Sequence, residues 1–171
     1  MMKNSLSKRY WIWGRFDQES TDALKQIYQQ VNEAFNGPFF KVHITISGPL
    51  ISPDQDIIDR FCSLPEKLHP IKIKPDKYSF TEAKNKSLFI DIQKTATLMS
   101  LKRVIDLKLN ITDQNYRPHI SLFYGKESEN NKIELISRLP EIPDHIKLNR
   151  LSLVRTDQGV SKWTVEHDVF L

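Results

Sequence analysis

Lys41-Val42-His43-Ile44-Thr45-Ile46 and Arg117-Pro118-His119-Ile120-Ser121-Leu122 share one pattern: histidine, apolar residue, hydroxyl residue, apolar residue. On a β-strand, successive side chains point to opposite faces. The pattern therefore predicts that His43 and Thr45 point one way while Val42, Ile44 and Ile46 point the other. His119 and Ser121 do the same opposite Ile120 and Leu122. Each strand buries an apolar face and presents an imidazole beside a hydroxyl. Two such pairs facing each other supply one general base, one general acid and two hydrogen-bond donors for an anion.

The segments around these strands repeat in order. Tyr10-Trp11-Ile12-Trp13 is aromatic and β-prone and predicts a strand over about 9–15. Leu24, Ile27, Tyr28, Val31 and Phe35 recur at helical steps, with Ser20 or Thr21 as the cap and Gly37-Pro38 as the stop. The first histidine strand is expected at about 41–47. Ser52-Pro53-Asp54-Gln55 then reads as a helix start, with Ser52 at the cap and Pro53 at the first helical position. Strands are expected around Ile71–Ile73 and Leu88–Ile92. A helix from Thr95 carries Leu98, Leu101, Ile105 and Leu109 on one face. The second histidine strand is expected at 117–124 and a short helix near 130–138. A late strand begins at Leu151, and a return strand follows the Asp157-Gln158-Gly159 turn. Strand, helix, histidine strand and helix thus occur twice, with the motif histidines 76 positions apart. This predicts an α+β fold over residues 1–171: one bilobal domain, two antiparallel sheets flanking a central groove, and helices on the outer faces.

Composition limits the partners. The 171 residues are 39% hydrophobic and 27% charged, which permits a packed core and disfavours disorder. The net charge of +4 suits an anionic ligand but is too small and dispersed for a tight nucleic-acid binder. Cys62 is the only cysteine, so an intrachain disulfide and a cysteine-rich zinc site are excluded. The start from Met1 to Arg9 has no apolar run of signal-peptide length, and no stretch approaches the roughly 20 apolar residues of a membrane helix. A cytoplasmic monomer without membrane or obligate protein partner is the expectation.

Other chemistries fit less well. A zinc site needs a third and fourth ligand. His69 and His145 read as loop residues, and Glu166-His167-Asp168 alternates faces on its strand and cannot converge. No nucleophile elbow accompanies the histidines, and none of the five glycines stands in a Walker or Rossmann spacing. Trp11, Trp13 and Tyr124 are candidates for a stacking face, with a core or rim role as the alternative for Trp11 and Trp13. Strict alternation puts Tyr124 off the histidine face unless the strand ends before it, which Gly125 allows. Arg117 is a candidate for the groove mouth. Lys72, Lys74, Lys77, Lys84 and Lys86 could form a basic track, or a solvated edge.

The paired tetrapeptides resemble the signature of the 2H phosphoesterase superfamily. The chain is most similar to its plant and yeast-type cyclic phosphodiesterases. The likeness includes Tyr10–Trp13 with Asp17–Ser20, Gly37–Phe40, Tyr116–Tyr124, Leu148–Leu151 and Arg155–Asp157. It departs at Val42, where the family often has proline, and in lacking cysteines seen in some relatives. The resemblance implies metal-independent hydrolysis of ribose cyclic phosphates, either nucleoside 2′,3′-cyclic phosphate or ADP-ribose 1″,2″-cyclic phosphate. His43 and His119 would be acid and base, Thr45 and Ser121 would bind phosphate, and Tyr124 and Trp13 would contact substrate, with no cofactor. The partner is then a small cyclic-phosphate nucleotide or an RNA end. The alternatives are an RNA 2′,5′ ligase or oligonucleotide phosphodiesterase, and a non-catalytic binder of nucleotides or RNA ends.

Overall fold

The computed structural model describes residues 7–112 and 115–171. Residues 1–6, which belong to the start read above for a leader, lie outside the described residues. The elements follow in chain order: β1 (Arg9–Phe16), α1 (Gln18–Ala34), β2 (Ile44–Ile51), α2 (Gln55–Cys62), β3 (Ile71–Ile73), β4 (Pro75–Phe80), β5 (Leu88–Ile92), α3 (Ala96–Leu109), β6 (His119–Phe123), α4 (Glu129–Ile136), β7 (Ile146–Arg155) and β8 (Thr164–Phe170).

The helices form where apolar side chains recur at helical steps and a polar side chain stands ready to cap. α1 buries Leu24, Ile27, Tyr28 and Val31, and the Asp17 carboxylate accepts the Ser20 N–H at 2.9 Å. The cap is therefore Asp17, three residues before Ser20. α3 buries Leu98, Leu101, Ile105 and Leu109 and starts at the expected Thr95, whose hydroxyl accepts the Leu98 N–H. It ends at Asn110, which takes the left-handed conformation at φ 55°. The start of α2 differs from the expectation. Asp54, not Ser52, caps it, accepting the Ile57 N–H at 3.0 Å. The Ser52 hydroxyl instead accepts the Lys8 N–H, and Ser52 itself turns through φ 42°.

All strand pairings are antiparallel, in the order β3-β7-β1-β2-β6-β5-β4, and β8 also pairs with β7. The two histidine strands, β2 and β6, lie side by side at the centre. β1 flanks one and β5 the other, so the repeated sequence order becomes an approximate two-fold arrangement in space. The two expected sheets are the halves of this one sheet, joined by a single residue pair, Ile44 opposite Ile120. Only Lys74 separates β3 from β4, although they lie at opposite ends of the strand order. The sheet must therefore curl until its ends approach. Its core face includes Ile12, Ile44, Ile46, Leu88, Ile90, Ile120 and Leu122, all fully buried.

Candidate active site

Ile44 and Ile120 directly follow the two motif histidines, and they are the residues that pair across the centre. Extending that antiparallel register by one residue sets His43 opposite Ser121 and Thr45 opposite His119. Each histidine thus faces the hydroxyl residue of the other motif, on the side of the sheet away from the buried isoleucines. The equivalence extends to the rings. His43 Nδ1 lies 2.6 Å from the Lys41 carbonyl oxygen, and His119 Nδ1 lies 2.9 Å from that of Arg117. A carbonyl oxygen only accepts, so Nδ1 carries the proton in both rings. Nε2 is left to exchange protons with a ligand.

The surroundings of the two rings differ. His43 is 5% exposed and lies flat against Trp13, with ring centroids 3.5 Å apart and planes 7° from parallel. Phe40 and Trp163 present edges to it at 6.3 and 6.2 Å. Desolvation in this aromatic cage lowers its pKa from 6.5 to about 3; the Lys41 carbonyl opposes the shift, and the charges of Arg15 and His119 add to it. His119 is half-buried and is also shifted down by desolvation. Its Arg117 carbonyl opposes that shift, Lys86 adds to it, and Asp91 on the adjacent strand β5 opposes it.

His43, Thr45, His119, Tyr124 and Trp13 line one cavity of about 670 Å³. Tyr124 reaches it because β6 ends at Phe123 and Gly125 takes φ 149°, turning the chain where alternation would have carried the phenol away. Ser121 is 4% exposed and does not line this cavity; burial raises the Tyr124 phenol pKa, and the neighbouring Ser121 hydroxyl opposes that rise. Tyr116, just ahead of the second motif, donates its hydroxyl to the Thr45 carbonyl at 2.9 Å. Lys102 of α3 donates to the Ile46 carbonyl at 3.1 Å. The Asp106 carboxylate pairs with Lys102 at 3.0 Å and accepts the Ser47 hydroxyl. The first motif is thus held from behind by buried side chains of α3 and of the loop leading into β6.

Among the lining residues not singled out from sequence are Trp163, Arg9 and Thr156. Trp163 precedes β8 and meets Trp13, His43 and Tyr124 edge-on. Its signal was an aromatic residue just after a turn, which the strand reading absorbed. Of the five lysines read as a track, Lys84 alone lines the cavity. Lys72, Lys74, Lys77 and Lys86 are not among its lining residues, so the five form no track along it. Arg117 is exposed and lines a neighbouring recess of about 400 Å³ that shares Trp11, Thr45 and His119 with the cavity. A recess of about 690 Å³ beside α4 is larger but contains no histidine. His69 and His145 are exposed loop residues, and His167 lies on β8 opposite Leu153. Among the described residues, no group of three His, Cys, Asp or Glu side chains is placed to hold a metal ion.

Solved structures share this fold. LigT of E. coli superposes with a TM-score of 0.65 at 12% identity, covering 96% of this chain and 98% of LigT. TT0787 of Thermus thermophilus gives 0.62 at 17% identity, covering 95% and 97%. The chain has the fold of these structures, a mixed α+β arrangement on an antiparallel sheet. The sequence relationship points the same way. A cyclic phosphodiesterase of Arabidopsis thaliana is 27% identical over 154 residues, 86% of this chain and 85% of that protein. No family model matches the chain. The resemblance read from the paired motifs agrees with both comparisons. Among the described residues, no helix is long and apolar enough to cross a membrane.

Proposed function

We propose that this chain hydrolyses ribose cyclic phosphates, without a metal, by proton transfer between two histidines. The observation that carries the reading is the matched pair of imidazoles. Each Nδ1 is fixed to the carbonyl two residues upstream, and both rings line one cavity with Thr45. The fold and the Arabidopsis relative support it, as do LigT structures with bound 3′-AMP and NADP+, which show nucleotides held by this fold.

His43 is the base. Its cage keeps it neutral, with the Nε2 lone pair available to take a proton from water. The water oxygen attacks phosphorus, the bond from phosphorus to one ribose oxygen breaks, and His119 Nε2–H protonates that oxygen as it leaves. One water is consumed and a phosphomonoester forms. The histidines end with their protonation states exchanged, and solvent resets them. Asp91 beside His119 makes it the easier of the two to charge, and the bound phosphate anion favours that charge further. Thr45 donates to a non-bridging oxygen, and the Ser121–Tyr124 pair supplies a second donor from the β6 side. Trp11 and Trp163 offer faces for ribose or base, while Trp13, 3% exposed, chiefly supports the His43 ring. The whole chain acts as one bilobal domain. With only Lys84 of the lysines in the cavity, a short nucleotide substrate is favoured over a long RNA track.

The test is turnover, in excess chelator, of nucleoside 2′,3′-cyclic phosphates, ADP-ribose 1″,2″-cyclic phosphate and 2′,5′-linked oligonucleotides, followed by phosphorus NMR. Conversion of a cyclic phosphate to its monoester is the expected result. Cleavage or joining of 2′,5′ linkages with cyclic phosphates untouched would overturn the reading in favour of the ligase class.

A further inference from the structure

Strand β1 lays a row of side chains along one wall of the cavity: Trp13 at the histidine pair, then Trp11, then Arg9. Trp13 is in register with Thr45, the proposed phosphate donor. Four residues of extended chain place the Arg9 backbone roughly 13 Å farther along, and its side chain shortens the remaining gap. Thr156 stands beside Arg9 at this end. Its N–H donates to the Arg9 carbonyl at 2.8 Å, its side chain lines the cavity, and its Oγ1 is buried without a hydrogen-bond partner. A shielded hydroxyl with no partner is costly unless a ligand supplies one.

The charges at this end are uneven. Arg155 is occupied by Asp157 through bonds of 2.6 and 2.9 Å. The Arg9 guanidinium makes no ion pair among the described residues. Lys84 faces the same cavity from the other half, on a loop tied down by the Gly125 N–H to the Lys84 carbonyl at 2.8 Å. A cation and an unmatched hydroxyl thus stand together at the end remote from the histidines, with the Trp11 indole between them and the motif pair, while Lys84 lies at the Tyr124–Gly125 side of the cavity.

Resting on the function proposed above, we propose that Arg9 and Thr156 form a second phosphate subsite. It receives the 5′-phosphate of the same ribose whose cyclic phosphate lies between His43 and His119. Arg9 supplies paired N–H donors and Thr156 a hydroxyl donor, while the sugar or base rests on Trp11. The 5′-phosphate can be a terminal monoester, the diester of a short RNA end, or one half of a pyrophosphate.

The experiment has a turnover arm and a binding arm. In the first, kcat/KM is compared for a nucleoside 2′,3′-cyclic phosphate and for the same compound carrying a 5′-phosphate. The wild-type protein is expected to prefer the second roughly tenfold or more. In Arg9→Gln and Thr156→Val that ratio falls toward one. A merely structural defect would slow both substrates equally and keep the wild-type ratio, which would overturn the proposal, as would a wild-type ratio of one. In the second arm, calorimetry compares a nucleoside 2′-monophosphate with the 2′,5′-bisphosphate. Tighter binding of the bisphosphate that is lost in Arg9→Gln supports the subsite even if no cyclic phosphate is turned over, a result that would sink only the hydrolysis reading. Equal binding of the two removes the subsite while leaving hydrolysis standing. Substrates with a 5′-phosphodiester or a 5′-pyrophosphate then show which source the subsite prefers.

Discussion

Lowering the pH from 7 to 5 should destabilise this protein through His43, and replacing His43 with asparagine should remove that part of the loss. The ring is buried among Trp13, Phe40 and Trp163, and its pKa falls from 6.5 to about 3 on folding. Between these values the unfolded chain holds a proton that the folded chain does not. Stability is therefore fully present above pH 6.5 and declines as pH falls toward 3. At pH 5 the separation from 6.5 is 1.5 pH units, which at about 1.4 kcal/mol per unit gives a loss of roughly 2 kcal/mol. Against a total of about 5–15 kcal/mol for an ordinary domain, that is easily measured. Urea unfolding of wild type and His43→Asn, followed by tryptophan fluorescence at pH 7 and pH 5, isolates the effect. Other groups, His119 included, titrate in both proteins. The wild type should lose about 2 kcal/mol more than the variant over this interval. The same pH dependence in both would refute the claim that His43 is buried as the neutral ring.

Further outcomes follow from the same geometry. Tyr116→Phe removes the bond to the Thr45 carbonyl, which with Ile44–Ile120 ties the two motifs together. It should lower kcat on the order of tenfold with KM little changed, and an equal rise in KM would instead mean lost binding. Ser121→Ala and Tyr124→Phe should each slow turnover, and the double variant should be little worse than the slower single one; fully additive losses would mean that the two hydroxyls act independently. The pH profile of kcat/KM should be bell-shaped with its maximum below pH 6.5, because both histidines are shifted down in the free protein, with His43 required neutral and His119 charged. A maximum in the alkaline range would rule out this assignment of roles.

The features legible in the sequence are those set by local periodicity. The alternation around His43 and His119 placed each imidazole beside a hydroxyl and opposite a buried isoleucine, and the apolar stripes of α1 and α3 marked those helices. What escaped was non-local or depended on competing local contacts. The pairing of Ile44 with Ile120 joins residues far apart in the chain. β4 opens with Pro75 and Asp76 and pairs only with β5, so it looks unlike a strand until the sheet edge exists to receive it. Ser52 met the pattern of a helix cap but bonds Lys8 instead, which left the role to Asp54. Ser121 matched Thr45 in pattern, yet the turn at Gly125 brings Tyr124 over it, so the phenol rather than the serine lines the cavity. Trp163 enters the site only because β8 folds back beside β7, which no local pattern reveals.

The central claim is that two histidines, rather than a metal, move the protons. Its most direct test is single-turnover hydrolysis of the best cyclic-phosphate substrate in excess chelator by wild type, His43→Ala and His119→Ala. Full wild-type activity in chelator and a loss on the order of 10²–10⁴ in each variant are expected. The claim is contradicted if either variant keeps near wild-type turnover, or if chelator abolishes activity and added zinc or magnesium restores it.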